Sequence, residues 1–194
     1  MAERLRIGMF GGSFDPPHRA HVALAQAALE QLKLDRLHIV PTGQAWHKTR
    51  ALSAGEHRSS MCRTAFGTWP QVVIDERELA REGPSYTADS LDELGLLYPG
   101  AELFLLIGLD QLRTFRSWDR YAQVLAKATL VVAHRPGVTI DVATVVAHRT
   151  LEFIADPISS TQVRADWSAP ERQALARAVV PEPVARYIAQ HQLY

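Results

Sequence analysis

Eleven residues near the start of the chain have the types and spacing to do chemistry: Gly11-Gly12-Ser13-Phe14-Asp15-Pro16-Pro17-His18-Arg19-Ala20-His21. They directly follow the apolar run Leu5–Phe10. A small-residue loop after a buried strand lets backbone amides approach an anion, and the free N–H groups and positive dipole end of a following helix favour one. Pro17 stands where a helix start tolerates proline best. His18 and His21, three apart, share one face of the first turn. The chemistry implied is recognition of a polyphosphate. By spacing alone the two histidines read first as a solvated or capping pair. A zinc site is disfavoured, because no Cys or acidic partner supplies the remaining ligands.

A second set repeats the pattern. Ser159, Ser160 and Thr161 follow an apolar run and Pro157, and open a helix with Arg164 one turn in. Hydroxyls and amides at such a start bind phosphate oxygens, and a guanidinium bridges two of them. Taken singly, an ordinary N-cap with a surface arginine is an equal reading. Paired with the first loop, it describes two helix starts facing one polyphosphate. The glycine spacing fits neither the dinucleotide fingerprint nor a P-loop. No acidic residue ends the second strand, where Val40-Pro41 stands instead, which opposes a dehydrogenase.

These residues need a frame. Short apolar runs at Leu5–Phe10, Arg36–Val40, Gln71–Ile74, Leu103–Ile107, Thr129–Ala133 and Leu151–Ile154 read as buried parallel strands. Helical patterns alternate with them: His18 to Leu34, a capping-box start at Ser53 running to about Thr68, a helix capped by Ser85 or Thr87 carrying Leu91, Leu94 and Leu97, and Trp118 to Leu125. Helices alone follow, at Ser160–Trp167, Pro170–Ala178 and Pro183–Gln190. Alternation of this kind predicts an α/β fold with a doubly wound, Rossmann-like parallel sheet and a helical C-terminal segment, in one domain over residues 1–194. Trp46–Ala54 and Arg77–Ser85 read as mobile loops.

Composition narrows the class. The 194 residues carry 21 basic and 21 acidic side chains, and 47% are apolar. A balanced charge argues against a nucleic-acid or membrane surface. The single Cys62 reads as a small buried side chain. No run approaches the roughly 18 apolar residues of a membrane span, and no signal-peptide pattern opens the chain, so a cytoplasmic protein is expected.

The two motifs together, Gly11 to His21 and Ile158-Ser159-Ser160-Thr161-x-Val163-Arg164, resemble the nucleotidyltransferases with an H-x-G-H signature, and within them bacterial nicotinate-mononucleotide adenylyltransferase. Further landmarks resemble that family in order: Val40-Pro41 through Trp46-His47-Lys48, Gly83-Pro84-Ser85-Tyr86-Thr87, Ile107-Gly108-Leu109-Asp110, Trp118 and Arg135-Pro136-Gly137. One departure stands out, Ala20 in place of the signature glycine.

The resemblance implies transfer of AMP from ATP to nicotinic acid mononucleotide, in NAD biosynthesis. Catalytic roles would fall to His18, His21, Lys48 and Arg164. ATP would be bound by Gly11, Gly12, Ser13, Phe14, Gly108, Asp110, Ser160 and Thr161, with the amide of Phe14 mattering more than its ring and Asp110 taking the ribose hydroxyls. Tyr86 and Thr87 would meet the pyridine carboxylate, Trp118 would stack on the ring, and Arg135 would hold the mononucleotide phosphate. Mg²⁺ would arrive with ATP, without a protein cage. The partners implied are the two small-molecule substrates, and homo-oligomerisation is left open. Trp46, Trp69 and Trp167 are assigned to packing or surface, and His38, His57, His134, His148 and His191 to no site. Dual-specificity and phosphopantetheine adenylyltransferases and a non-catalytic nucleotide-binding regulator remain as alternatives.

Overall fold

Strand β1 (Arg6–Gly12) is apolar at every interior position because both of its faces are covered. Ile7 and Met9 point to one core, and Phe10 points to another. Strand β4 (Glu102–Gly108) repeats the alternation, with Leu103, Leu105 and Ile107 on one side and Phe104 and Leu106 on the other. The computed structural model describes residues 4–43, 52–134, 148–153 and 158–194.

The other strands are β2 (Arg36–Pro41), β3 (Val72–Ile74), β5 (Ala128–His134) and β6 (Arg149–Glu152). All pairings are parallel, and the order is β3-β2-β1-β4-β5-β6. The chain winds outward from β1 to β3, then crosses back to lay β4 against the other side of β1. The strand order therefore reverses between β1 and β4. A parallel sheet of this order leaves its ligand crevice at that point, beyond the carboxyl ends of the strands.

Helices α1 (Arg19–Leu32) and α2 (Gly55–Phe66) cover one face through Leu24, Ala25, Ala28, Cys62 and Phe66. Helices α4 (Thr87–Leu97), α5 (Leu109–Thr114) and α6 (Tyr121–Lys127) cover the other through Ala88, Leu91, Leu94, Leu112 and Val124. A third core lies away from the sheet. In it Met61 of α2 meets Val163 and Trp167 of α7 (Ser160–Trp167), Ala176 of α8 (Gln173–Val179), and Val184, Ala185 and Ile188 of α9 (Glu182–Gln190). Cys62 is fully buried, and burial pushes its thiol pKa up. Among the described residues, no helix is long and apolar enough to cross a membrane.

Several local expectations change. Helix α2 is capped by the backbone of Ala54, not by the Ser53 hydroxyl. The N–H of Ser53 goes to Asp15, and its carbonyl accepts from Arg58. Tyr86, with no side-chain cap bond, precedes α4 in place of a Ser85 or Thr87 cap. Leu97 is exposed, because the buried stripe of α4 ends at Leu94. The stretch read as the loop Arg77–Ser85 contains the short helix α3 (Arg77–Ala80). Leu109–Thr114 is helical and continues into a 3₁₀ turn at Phe115–Ser117, so α6 starts at Tyr121, later than expected. Residues 46–51 of the other expected loop, and the last residue of the sixth expected strand, lie outside the described residues.

The buried polar groups are stitched to one another. His38, on β2, places Nδ1 2.6 Å from Asp75 and Nε2 3.1 Å from the Tyr98 hydroxyl. Burial opposes the Asp75 charge, but hydrogen bonds from His38 and Arg77 hold that carboxyl well below its usual range. His57 likewise meets the Tyr187 hydroxyl at 3.0 Å, tying α2 to α9.

Gly43, just after β2, packs so closely on α3 that a Cβ there would fall 2.0 Å from the Glu78 carbonyl oxygen. Gly43→Ala should therefore cost about 2 kcal/mol, since the obstacle is backbone and not a flexible side-chain tip. Urea unfolding of the variant measures this, and an unchanged midpoint would contradict the packing described.

Candidate active site

At the reversal between β1 and β4 there is a cleft of about 440 Å³. Its floor is the sheet, through Met9, Leu105 and Ile107. One wall is the glycine loop Gly11, Gly12 and Ser13. Another is the start of α4, with Ser85, Tyr86 and Thr87, and Trp118 closes a further side. Six of the residues singled out from the sequence therefore converge here: Gly11, Gly12, Ser13, Tyr86, Thr87 and Trp118.

Each wall has a physical reason. A Cβ on Gly11 would meet nothing within 4 Å, so this backbone faces open space and a ligand can approach it closely. Helix α4 begins at the cleft, and the first-turn amides of a helix have no intrahelical partner, which makes this end a seat for a carboxylate or phosphate. Arg120 lies over the Tyr86 ring at 5.6 Å and bonds Asp89 at 2.7 Å, clamping that helix start. Trp118 follows the 3₁₀ turn and leans on Phe115 with ring centroids 5.1 Å apart. It is thus partly core and partly cleft wall.

The second group gathers where residues 13–18 meet α7. Ser159 caps α7 through its side chain, accepting from the Gln162 N–H at 3.2 Å. The Ser160 hydroxyl donates to the Pro16 carbonyl at 2.9 Å. Arg164 donates to the Asp15 carbonyl at 2.5 Å and to the Thr161 hydroxyl at 3.1 Å. The start of α7 is therefore in direct contact with the loop that leads into α1. The Phe14 ring is fully buried against Phe10, His21 and Phe66, so only its backbone remains for a ligand.

His18 and His21 stack, with ring centroids 3.7 Å apart. The backbone N–H of His18 donates to Nδ1 of His21 at 3.1 Å, which leaves the proton of a neutral His21 ring on Nε2. His18 is buried, and its Nδ1 finds no partner among the described residues. Burial lowers the His18 pKa to about 4. Burial, and then the charge of His18, push His21 well below its usual value too. Both rings are neutral donors at neutral pH.

Gly108 and Asp110 sit at the carboxyl end of β4, outside the cleft lining. The Gly108 N–H donates to the Gln111 side chain at 3.0 Å. The Asp110 carboxylate is almost wholly exposed, 3.8 Å from Arg113. Lys48 and Arg135 lie outside the described residues.

Sequence reasoning missed three residues that build this region. Asp15, within the motif but given no role, has a fully buried carboxylate. It accepts from the Tyr194 hydroxyl at 2.5 Å and from the Ser53 N–H at 3.3 Å. Burial works against its charge, but those hydrogen bonds and the charge of Arg164 hold its pKa below the usual value. Arg58, read as a plain helical residue, is buried and donates to the carbonyls of Ser53, Ser13 and Thr42. Glu78 is buried in the cleft wall, where burial raises its pKa despite the Ser90 hydroxyl 2.9 Å away. No local pattern marks any of the three, because their partners come from distant parts of the chain.

The sequence matches the Cytidylyltransferase-like family over residues 9–166. The chain belongs to that family. It is 48% identical over 196 residues to a protein of Albidiferax ferrireducens named "Probable nicotinate-nucleotide adenylyltransferase", covering 97% of this chain and 98% of the other. A protein of the same name from Oceanobacillus iheyensis is 32% identical over 191 residues, covering 97% and 96%. Both place the family member described here among the nicotinate-nucleotide adenylyltransferases. The fold matches that of Plasmodium falciparum nicotinic acid mononucleotide adenylyltransferase complexed with NaAD, with a TM-score of 0.82 over 98% of each chain at 19% identity.

The neutral histidines have a cost in acid. An unfolded chain protonates His18 near pH 6.5, whereas the folded chain does so only near pH 4. The stability is therefore complete above about pH 6.5 and falls as pH drops toward 4. Between pH 7.5 and 5 the wild-type unfolding free energy should fall by about 2 kcal/mol more than that of His18→Gln. Parallel pH profiles from denaturant titrations of the two proteins would show that His18 is not held neutral.

Proposed function

We propose that this protein transfers AMP from ATP to nicotinic acid mononucleotide, giving nicotinic acid adenine dinucleotide and pyrophosphate. The observation that carries the reading is one continuous loop, residues 11–18, which lines the cleft at one end and meets the start of α7 at the other. An acceptor nucleotide in the cleft and a polyphosphate at the paired helix starts then share the loop between them. The family and the similar chains support the same chemistry.

The reaction is an in-line displacement. A phosphate oxygen of the mononucleotide attacks the α-phosphorus, and the bond from that phosphorus to the bridging oxygen of the β-phosphate breaks. The electron pair leaves with pyrophosphate. The attacking phosphate is already ionised near neutral pH, so no general base is needed, and catalysis rests on positioning and charge stabilisation.

His18 and His21 serve as neutral N–H donors to the phosphates, and their protons become harder to lose as charge develops on the leaving group. Arg164 and Thr161 hold the outer phosphates. Ser160, whose hydroxyl donates to Pro16, offers its oxygen lone pairs to that network and its helix-start amide to a phosphate. Lys48 bridges the two substrates, and Arg135 holds the mononucleotide phosphate. Gly108 leaves room beside the nucleoside, since a Cβ there would meet only the Gln111 side-chain oxygen, 4.0 Å away. Asp110 accepts from the ribose hydroxyls. The Mg²⁺ of the MgATP substrate neutralises the polyphosphate. Among the described residues no three His, Cys, Asp or Glu side chains gather as a cage, and the phosphates themselves provide the oxygen ligands such a hydrated ion prefers.

At the pyridine end, the α4 start supplies donors through Tyr86 and Thr87, which suits a carboxylate, and Trp118 stacks on the ring. Glu78 favours a second reading, in which the amide is also accepted. Glu78 is among the residues lining the same cleft, and a carboxyl is the kind of acceptor an amide would use.

Pyrophosphate release from MgATP, measured with the acid and the amide mononucleotide side by side, decides between them. Strong acid preference supports the first reading, equal rates support the second, and no release with either rejects both. His18→Ala and His21→Ala should each lower kcat by about 100-fold or more with little change in mononucleotide KM, as expected for groups acting on transition-state charge. Trp118→Ala should do the reverse and raise mononucleotide KM by about tenfold. Steady-state kinetics of the three variants test this division, and wild-type values in all would refute it.

A further inference from the structure

Tyr194 lies 179 positions from Asp15 in the chain, yet its hydroxyl donates to the Asp15 carboxylate at 2.5 Å. The contact is held deliberately. Beyond α9 the backbone turns back through positive φ at Gln192 (51°) and Tyr194 (73°), a region that L residues rarely adopt. Such conformations persist only where the surroundings impose them. Here the Leu193 N–H donates to the Ile188 carbonyl at 3.1 Å, and Leu193 and Tyr194 pack on the third core.

That core is also what orients α7. Val163 and Trp167 bury into it beside Met61, Ala176, Val184 and Ile188, away from the sheet. The glycine loop belongs to the sheet, whereas α7 belongs to this helical core. The two are joined through the Asp15 carbonyl and Arg164, the Pro16 carbonyl and Ser160, and the Asp15 carboxylate and Tyr194. Of these three links, Tyr194 alone uses no residue placed on the phosphates.

We propose that Tyr194 is a positioning residue for the polyphosphate site: by holding the buried Asp15 carboxylate, it keeps Arg164 and the start of α7 aligned with the 11–18 loop. Asp15 draws on both cations and hydroxyls, with Arg164 4.0 Å from its carboxylate. Without the phenol, that carboxylate takes more from Arg164, and the guanidinium is drawn from the place a phosphate needs. The proposal rests on the adenylyltransferase reading for the identity of the ligand, so its test separates binding from turnover.

The experiment compares Tyr194→Phe with Tyr187→Phe. The second removes a phenol from α9 that bonds His57 and not Asp15. Affinity for a non-hydrolysable ATP analogue with Mg²⁺ is measured by calorimetry, and KM for MgATP and for the mononucleotide by kinetics. Tyr194→Phe should weaken the analogue and raise KM for MgATP by about fivefold or more, the scale of one ordinary hydrogen bond. KM for the mononucleotide should stay within about twofold, and Tyr187→Phe should leave all three unchanged. In addition, Tyr194→Phe/Asp15→Asn should bind the analogue no more weakly than Asp15→Asn alone, because the phenol acts through that carboxylate.

Analogue affinity unchanged in Tyr194→Phe overturns the proposal. So does equal weakening of both substrates, an equal effect of Tyr187→Phe, or additive losses in the double variant. Absence of turnover in the wild type would reject the adenylyltransferase reading instead, and the analogue affinities would still decide the role of Tyr194.

Discussion

The loop that follows β1 is held between two buried charges of opposite sign, and the site depends on that pair being satisfied. Arg58 gives its guanidinium to the carbonyls of Ser13, Thr42 and Ser53, which ties the loop after β1 to the loop after β2 and to the start of α2. Asp15, two residues beyond Ser13, takes hydrogen bonds from Tyr194 and Ser53. An isolated charge in either position would be far too costly to bury. Each stays charged because its remaining capacity is filled by backbone or hydroxyl groups. The result is a loop of fixed shape, with Gly11, Gly12 and Ser13 lining a cleft on one side and a helix start leaning on it from the other.

A rigid loop lets the two histidines work without ionising. Rings stacked 3.7 Å apart and largely removed from water cannot both carry a proton at neutral pH. As neutral groups they still present N–H donors, and in the proposed reaction they do so without a fixed positive charge that would hold pyrophosphate after the bond has broken. In the proposed reaction, charge for the polyphosphate is assigned instead to Arg164 and to the Mg²⁺ that accompanies ATP. Donors already oriented in a dry site need little rearrangement when charge shifts toward the leaving group.

The fold divides the work between two packing units. The sheet with α1, α2, α4, α5 and α6 builds the cleft, and the strand order β3-β2-β1-β4-β5-β6 alone decides where that cleft opens. The third core, formed by α2 with α7, α8 and α9, presents the second helix start to it. Met61 and Cys62, neighbours on α2, face these two different cores, the first toward α7–α9 and the second toward the sheet. Adjacent helical positions point about 100° apart, so one helix can belong to both units and join them.

The sequence by itself determined the strand-helix alternation, the six parallel strands and the two helix starts to which the proposal assigns phosphate chemistry. Those signals are local: apolar runs for strands buried on both faces, small residues and hydroxyls at the starts of helices. The positions of Gly11, Gly12, His18, Ser160 and Arg164 at a strand end or a helix start were legible for the same reason. The short helices α3 and α5 were not, because neither spans enough turns to show a period. The backbone caps at Ala54 and Tyr86 were equally hidden, since the hydroxyls nearby advertise a cap that the chain does not use. Only the tertiary structure decided the roles of Asp15, Arg58, Glu78 and Tyr194. Their types are ordinary polar ones in their own neighbourhoods. What makes them matter is burial and partners brought from as far as 179 positions away, and contacts over such distances exist only once the sheet and the third core have formed.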